Sequence, residues 1–371
     1  MEAEKCIGKR VLDWLRRDPV LAASCAAALL STLFVPPSRA YLSYLDLRVL
    51  CLLSSLMVTV AGLKKAGAFA FLMGRILKVV HNTRTLSAAL IGVCFFTSML
   101  VTNDVALITF VPLTILMLAQ RQRLMAFVIV LQTVAANLGS MLTPLGNPQN
   151  LYLYGRFNLS AGRFLSIMAL PTAISLLLLC LALLWIRPEA VVAPVEAMPA
   201  CPKAVLPWAG LFCVCLLAVL HVLPYGLALA VVVLAAAVLD RPILRSVDYS
   251  LLLTFAFFFL LIGNIKSIPA VSQGLSTLLN GRELTAGILL SQVISNVPAA
   301  MLLAGFTENY EPLLLGVNIG GLGTLIASMA SVISYKLYAA QESARPGRYL
   351  ALFTGINLLF LGVLWAAAAL L

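Results

Sequence analysis

Apolar residues in this chain do not recur with the one-sided rhythm of a helix resting on a soluble core. They run together, as at 171–186, 211–220 and 227–239. A helix needs about 17–25 mostly apolar residues to cross a bilayer, and by that measure 19–36, 45–63, 163–186, 207–221, 225–240, 248–264 and 349–371 read as spans. The pieces 67–82, with Arg75 and Lys78 among its apolar residues, and 267–281 read as interfacial helices. Four longer apolar stretches carry polar or helix-breaking interruptions. Segment 86–119 is broken at Thr102-Asn103-Asp104, and 122–156 at Thr143-Pro144-Leu145-Gly146-Asn147-Pro148. Segment 284–306 is broken at Ser295-Asn296-Val297-Pro298, and 311–340 around 320–328.

The second half repeats the first. Ala61-Gly62-Leu63-Lys64 corresponds to Ile262-Gly263-Asn264-Ile265. Ser98-Met99-Leu100-Val101-Thr102-Asn103 corresponds to Ser291-Gln292-Val293-Ile294-Ser295-Asn296. Asn137-Leu138-Gly139-Ser140-Met141-Leu142-Thr143 corresponds to Asn318-Ile319-Gly320-Gly321-Leu322-Gly323-Thr324. The three matches come in the same order, at a slowly shrinking separation.

Composition agrees with a bilayer setting: of 371 residues 62% are hydrophobic and 11% charged, against about 45–50% and 25% in soluble domains. So few polar residues exclude a soluble enzyme, a secreted disulfide scaffold or a nucleic-acid binder. The net charge of +11 lies between the apolar runs, where loop cations set orientation. Lys5, Lys9, Arg10, Arg16 and Arg17 precede the first run, followed by Lys64 and Lys65, Arg121 and Arg123, Arg187 and Lys203, Arg241 and Arg245, and Lys336, Arg345 and Arg348. One threading puts every cluster inside: about nine crossings and two re-entrant hairpins, N-terminus inside and C-terminus outside. The first 18 residues mix acids with cations, and the run after them ends at Pro36-Pro37. They read as a cytoplasmic segment before a retained span, not as a signal peptide.

The expected organisation is therefore an all-α polytopic membrane protein with an inverted repeat. Segment 1–18 is cytoplasmic. The first repeat is 19–187, with hairpin 86–119 and broken helix 122–156. A cytoplasmic linker at 188–206 holds Pro188, Pro194, Pro199 and Pro202, with Pro207 just beyond. A connecting span at 207–221 inverts the second repeat, 225–371, which contains hairpin 284–306 and broken helix 311–340.

Inverted repeats with discontinuous helices mark secondary transporters, because irregular backbone at membrane depth is tolerated only against protein or a wet cavity. Here the breaks are rich in amides and hydroxyls: Thr102, Asn103, Asn137, Thr143, Asn147, Gln149 and Asn150 in one copy; Ser295, Asn296, Asn318, Thr324, Ser328 and Ser331 in the other. Singly, each would be read as an interhelical hydrogen bond. Of the 14 carboxylates only Asp104 lies deep in an apolar segment, where a charge is costly and points to function; it could carry a proton or ligate a cation. Its repeat partner is Val297. Glu283, Glu308 and Glu311 flank the second hairpin and read as solvated mouth residues. No Lys or Arg lies in the central part of a hairpin or break, so a substrate would be held by dipoles, amides and hydroxyls. An aspartyl hydrolase needs two carboxylates and a Ser–His hydrolase needs a histidine near the site. One deep carboxylate, with His81 and His221 far from every break, argues against an enzyme. The eight cysteines have no metal or redox spacing.

The tips Thr102-Asn103-Asp104 and Ser295-Asn296-Val297 resemble the paired Ser-Asn-Thr tips of divalent-anion/Na⁺ symporters. The breaks at 142–150 and 323–328 are similar to that family's second motif. The wider group is the ion transporter superfamily, with citrate-transporter-like permeases and arsenite pumps; the Asn-Asp pair also resembles the arsenite-pump branch. The resemblance implies a homodimer with scaffold helices and an elevator-like transport domain. It implies one cation site near Ser98, Asn103 and Gly146 and a second near Ser291, Asn296 and Ala327. Substrate would lie between the tips, against Thr102, Asn103, Asp104, Thr143, Pro144, Asn147, Ser295, Asn296, Val297, Thr324 and Ser328. Neither tip reads Ser-Asn-Thr, and Asp104 adds a charge, which leaves both Na⁺ and H⁺ open as coupling ion. The expected activity is secondary active transport of a small carboxylate-like anion in the cell (inner) membrane, with no cofactor beyond the coupling ion. The alternative is proton-coupled efflux of an arsenite-like metalloid.

Overall fold

Backbone in hydrocarbon must satisfy its own hydrogen bonds, which leaves helices or a closed barrel. The computed structural model is helical. It describes residues 19–78, 80–190 and 202–370, and among them the only bridge outside helices and turns is an isolated antiparallel one between Asn82 and Ala190. In chain order the helices are α1 (Pro19–Ser31), α2 (Ala40–Tyr44), α3 (Leu47–Lys65), α4 (Ala68–Leu77), α5 (Thr83–Thr97), α6 (Asn103–Met117), α7 (Gln122–Ser140), α8 (Pro148–Arg156) and α9 (Ala161–Leu183). They continue as α10 (Pro202–Val219), α11 (Tyr225–Asp240), α12 (Tyr249–Lys266), α13 (Pro269–Leu279), α14 (Glu283–Ile294), α15 (Asn296–Leu303), α16 (Tyr310–Ile319), α17 (Met329–Ala339) and α18 (Pro346–Ala369). Six of these are long and apolar enough to cross a membrane: α3, α7, α9, α11 with the turn that follows it, α12 and α18. The protein is a polytopic membrane protein.

Each interrupted apolar stretch becomes two helices. The pairs α5–α6 and α14–α15 are the arms of the two expected hairpins. The pairs α7–α8 and α16–α17 are the two broken helices. Their breaks have local causes. Pro148 opens α8 from an extended Asn147, a position where the missing N–H costs nothing. At the second tip Ser295 sits alone between α14 and α15 at φ 74°, ψ 154°, a conformation nearly reserved for glycine. α7 lies at the centre and is the most enclosed of the six long helices. It packs against α5, α6, α9, α17 and α18. The arms are exchanged between halves: α6 packs on α17, and α15 packs on α8. Outside this body α1 lies along α12, and α10 and α11 lie along α3. Exposed leucines and valines such as Leu227, Leu234 and Val238 on α11 suit contact with lipid chains.

Several boundaries move from their sequence-based positions. α1 ends at Ser31, not at 36, and the short α2 follows. α10 begins at Pro202, inside the expected linker, with Pro207 in its second turn. The gap at the first tip is 98–102, so Asn103 and Asp104 open α6. Glu283, expected at a solvated mouth, is buried and accepts a hydrogen bond from Thr307 Oγ1 at 2.9 Å. The expected cytoplasmic segment 1–18 and the linker residues 191–201 lie outside the described residues.

Candidate functional site

The first tip is fastened to the first break. Asn103 N donates to the Gly146 carbonyl at 3.2 Å. Its side chain accepts from Asp104 N at 2.9 Å and donates to Asn137 Oδ1 at 2.9 Å. Thr143 Oγ1 donates to the Met99 carbonyl and accepts from Gly146 N. Asn147 donates to Ser140 Oγ at 2.6 Å, and Asn150 Nδ2 gathers the carbonyls of Ser140 and Thr143, each at 3.2 Å. Asp104 stands in the first turn of α6, where free N–H groups favour a negative charge.

The second copy repeats these fastenings with different side chains. Thr324 Oγ1 donates to the Gln292 carbonyl at 3.1 Å, the counterpart of Thr143 on Met99. The Gln292 amide donates to the carbonyls of Gly320 and Leu322 at 2.9 and 3.0 Å and accepts from Thr324 N at 2.9 Å. Ser295 Oγ donates to the Ala327 carbonyl at 3.4 Å. Gln292 was legible only as the partner of Met99 in the repeat, so its bridging role escaped the sequence reading.

Paired glycines let the arms approach. A Cβ on Gly139 would lie 2.1 Å from the Phe95 carbonyl and 2.7 Å from Ser98 Oγ; one on Gly320 would lie 2.8 Å from Ser291 Oγ. The Phe95 carbonyl is backbone and cannot turn aside, so Gly139→Ala forces α5 and α7 apart. Overpacking usually costs about 1–3 kcal/mol, and this substitution is expected at or above the upper end, read as a lowered unfolding temperature in detergent. Gly92→Ala, whose Cβ meets nothing within 4 Å, is the control expected to change little.

The two halves meet side chain to side chain. Asn137 Oδ1 accepts from Ser328 Oγ at 2.9 Å, and Asn318 Nδ2 donates to Asn150 Oδ1 at 2.7 Å. Each repeat's asparagine thus reaches the other repeat's break. Five buried polar atoms of this region have no hydrogen-bond partner among the described residues: Asp104 Oδ1, Asn147 Oδ1, Gln149 Nε2, Asn318 Oδ1 and Ser331 Oγ. Three of them are oxygens that only accept. A buried polar group without a partner costs about 1–3 kcal/mol, so the cluster is equipped to hold a polar or cationic guest.

Of the residues expected at the cation positions, Asn103 donates from its backbone to the Gly146 carbonyl. In the second copy the Ala327 carbonyl is met by Ser295, the neighbour of Asn296. Ser98 and Ser291 are buried beneath the tips and donate to the carbonyls of Phe95 and Gly287. Of the residues expected around substrate, Thr102, Asp104 and Asn147 border one cavity of about 640 Å³. Asn103, Thr143, Pro144, Ser295, Asn296, Val297, Thr324 and Ser328 do not border it. Thr324 faces outward with its polar atoms on Gln292. The cavity gains three charged residues that nothing in the sequence singles out: Lys64 and Lys65, read only as loop cations, and Asp248, which caps α12 by accepting from Leu251 N at 3.1 Å.

Residues 10–333 match the family described as citrate transporter. An uncharacterised transporter of Methanocaldococcus jannaschii is 35% identical over 297 residues, 79% of this chain and 81% of that protein. An inner membrane protein of Escherichia coli is 33% identical over 313 residues, 82% and 83% of the two chains. An uncharacterised transporter of Mycobacterium tuberculosis is 26% identical over 372 residues, 88% and 86% of the two chains.

Proposed function

Because the chain belongs to the citrate transporter family of membrane transporters, we propose that it is a secondary active transporter of a small carboxylate-like anion, coupled to H⁺ or Na⁺. The observation that carries the reading is the crossed pair of broken helices. Asn137 and Asn318 tie the two breaks together, while Asp104, with a buried oxygen that accepts no hydrogen bond from the described residues, borders the cavity beside them. Substrate binds at the tips and breaks, and Asp104 exchanges the coupling cation. The tips are held to the breaks by short local bonds, so hairpins and broken helices move as one body against α3, α10, α11 and α12. That motion is elevator-like, and the functional unit is a homodimer.

An inverted repeat, N-terminus inside, is the topology we assign. Loop charge puts Lys65, Arg121 and Arg241 on one side, and several contacts support that reading. Lys65 pairs with Asp240 at 2.5 Å, and Arg121 with Glu189 at 2.6 Å. On the side assigned as outer, Arg156 pairs with Glu308 at 3.1 Å, Arg163 pairs with Glu311, and Tyr44 OH lies 3.1 Å from Ser267 Oγ. Glu308 and Glu311 at the second hairpin's mouth thus have arginine partners. Lys64 and Lys65 border the cavity, so it opens toward the cytoplasm.

The test is uptake of a panel of labelled mono-, di- and tricarboxylates into proteoliposomes under an imposed pH gradient or an imposed Na⁺ gradient. Gradient-driven accumulation of at least one carboxylate, about tenfold or more above protein-free liposomes, is the expected result. No carboxylate accumulation under either gradient overturns the proposal and turns attention to a neutral metalloid hydroxide.

A further inference from the structure

Resting on that transport reading, we infer that the cavity takes a monocarboxylate with an apolar body, its charged end drawn to Lys64, and discriminates against polycarboxylates such as citrate.

Among the described residues four charged side chains border the cavity: Lys64, Lys65, Asp104 and Asp248. Lys65 is already engaged by Asp240 at 2.5 Å. Among the described residues Lys64 has no carboxylate at ion-pair distance. One uncommitted cation therefore stands against two acids, one from the start of α6 and one at the cap of α12. A single carboxylate can settle at Lys64 with help from the hydroxyl of Thr102. Each further negative charge would lie in the enclosed volume facing Asp104 or Asp248, and like charges there repel more strongly than in water. A site for a tricarboxylate needs several cations or bidentate arginines, and no arginine among the described residues borders this cavity.

The rest of the wall is apolar, with Leu56, Met57 and Val60 from α3, Val105 and Ile108 from α6, and Leu251 from α12. At about 640 Å³ the cavity falls in the range of small-molecule sites, about 300–1,000 Å³. Apolar walls around a few placed polar groups favour a ligand in proportion to the apolar surface it buries. The same wall gives nothing to the extra carboxylates of citrate.

The experiment is isothermal titration of the purified full chain in lipid nanodiscs with pyruvate, 4-methyl-2-oxopentanoate, phenylpyruvate and citrate. The first three share one charged head and differ in the apolar body. The two larger monoanions are expected to bind at least tenfold tighter than pyruvate, with citrate weakest. Lys64→Gln is expected to weaken the monoanions about three- to tenfold, and Lys64→Arg to retain their affinity. Met57→Ser is expected to narrow the preference for phenylpyruvate over pyruvate at least threefold. Citrate binding tightest, or equal affinity for the three monoanions, overturns the inference. Binding by none of the four, while the proteoliposome panel finds another transported carboxylate, overturns this inference and leaves the transport reading standing. Absence of any carboxylate uptake overturns both.

Discussion

Proteoliposomes carrying Asp104→Asn are expected to lose gradient-driven accumulation under a pH gradient while still exchanging substrate for substrate. Asparagine keeps the shape and the position in the first turn of α6, but it neither binds nor releases a proton. The expected fall in the accumulation ratio is at least tenfold, to near unity, with counterflow within about threefold of the parent. The physical ground is that an intramembrane carboxylate is expensive and persists where it moves charge, and Asp104 has one buried oxygen with no hydrogen-bond partner among the described residues. Accumulation driven by Na⁺ and unchanged in Asp104→Asn would instead assign coupling to the tips and leave Asp104 as a favourable charge at a helix N-terminus. Measuring both gradients and counterflow on the same preparations separates these outcomes.

Asn103→Ala and Asn296→Ala are each expected to reduce uptake by at least about 90% without unfolding the protein. Asn103 bridges its own tip to Asn137, and through Asn137 to Ser328 of the other repeat. Its removal strips a partner from a buried amide and frees the tip from the break. Asn296 is buried, and its Nδ2 lies 2.9 Å from where a Cβ on Gly321 would stand. Gly321 in turn offers its carbonyl to Asn137. Loss of a buried hydrogen bond costs about 1–3 kcal/mol, enough to disorder a tip and not enough to unfold eighteen helices. The readouts are initial uptake rate and, for folding, size-exclusion profile and unfolding temperature in detergent. Uptake like the parent's in both variants would refute the assignment of the tips.

These tests bear on positions that could be read from the chain. In a bilayer the solvent fixes much of the fold locally. A segment must be apolar to enter, and its backbone must be helical once inside. That is why 225–240, 248–264 and the four interrupted stretches became helices or helix pairs close to their expected bounds. The breaks were legible for the same reason, since prolines and amide clusters at membrane depth have few explanations. The matched positions Met99 and Gln292, and Thr143 and Thr324, carry the same backbone-directed hydrogen bond in both halves. The misplaced boundaries have local causes too. Hydropathy does not distinguish the end of α1 from the apolar turn after it, and a proline in an early turn did not stop α10.

Hydropathy and the placing of breakers are enough to read a helical, polytopic membrane protein with two similar sets of broken helices and one carboxylate deep in an apolar segment. Which polar groups meet emerges from the packing of the helices. Asn137 with Ser328 and Asn318 with Asn150 are joined across the two halves, and no spacing along one strand of chain encodes that pairing. The packing also decides that Glu283 is buried, and that Lys64 and Asp248 border the same cavity as Asp104. The reason is physical. The bilayer acts on each segment separately and leaves its signature in local hydropathy. A binding site is made by side chains from distant segments, and their meeting depends on how the helices pack.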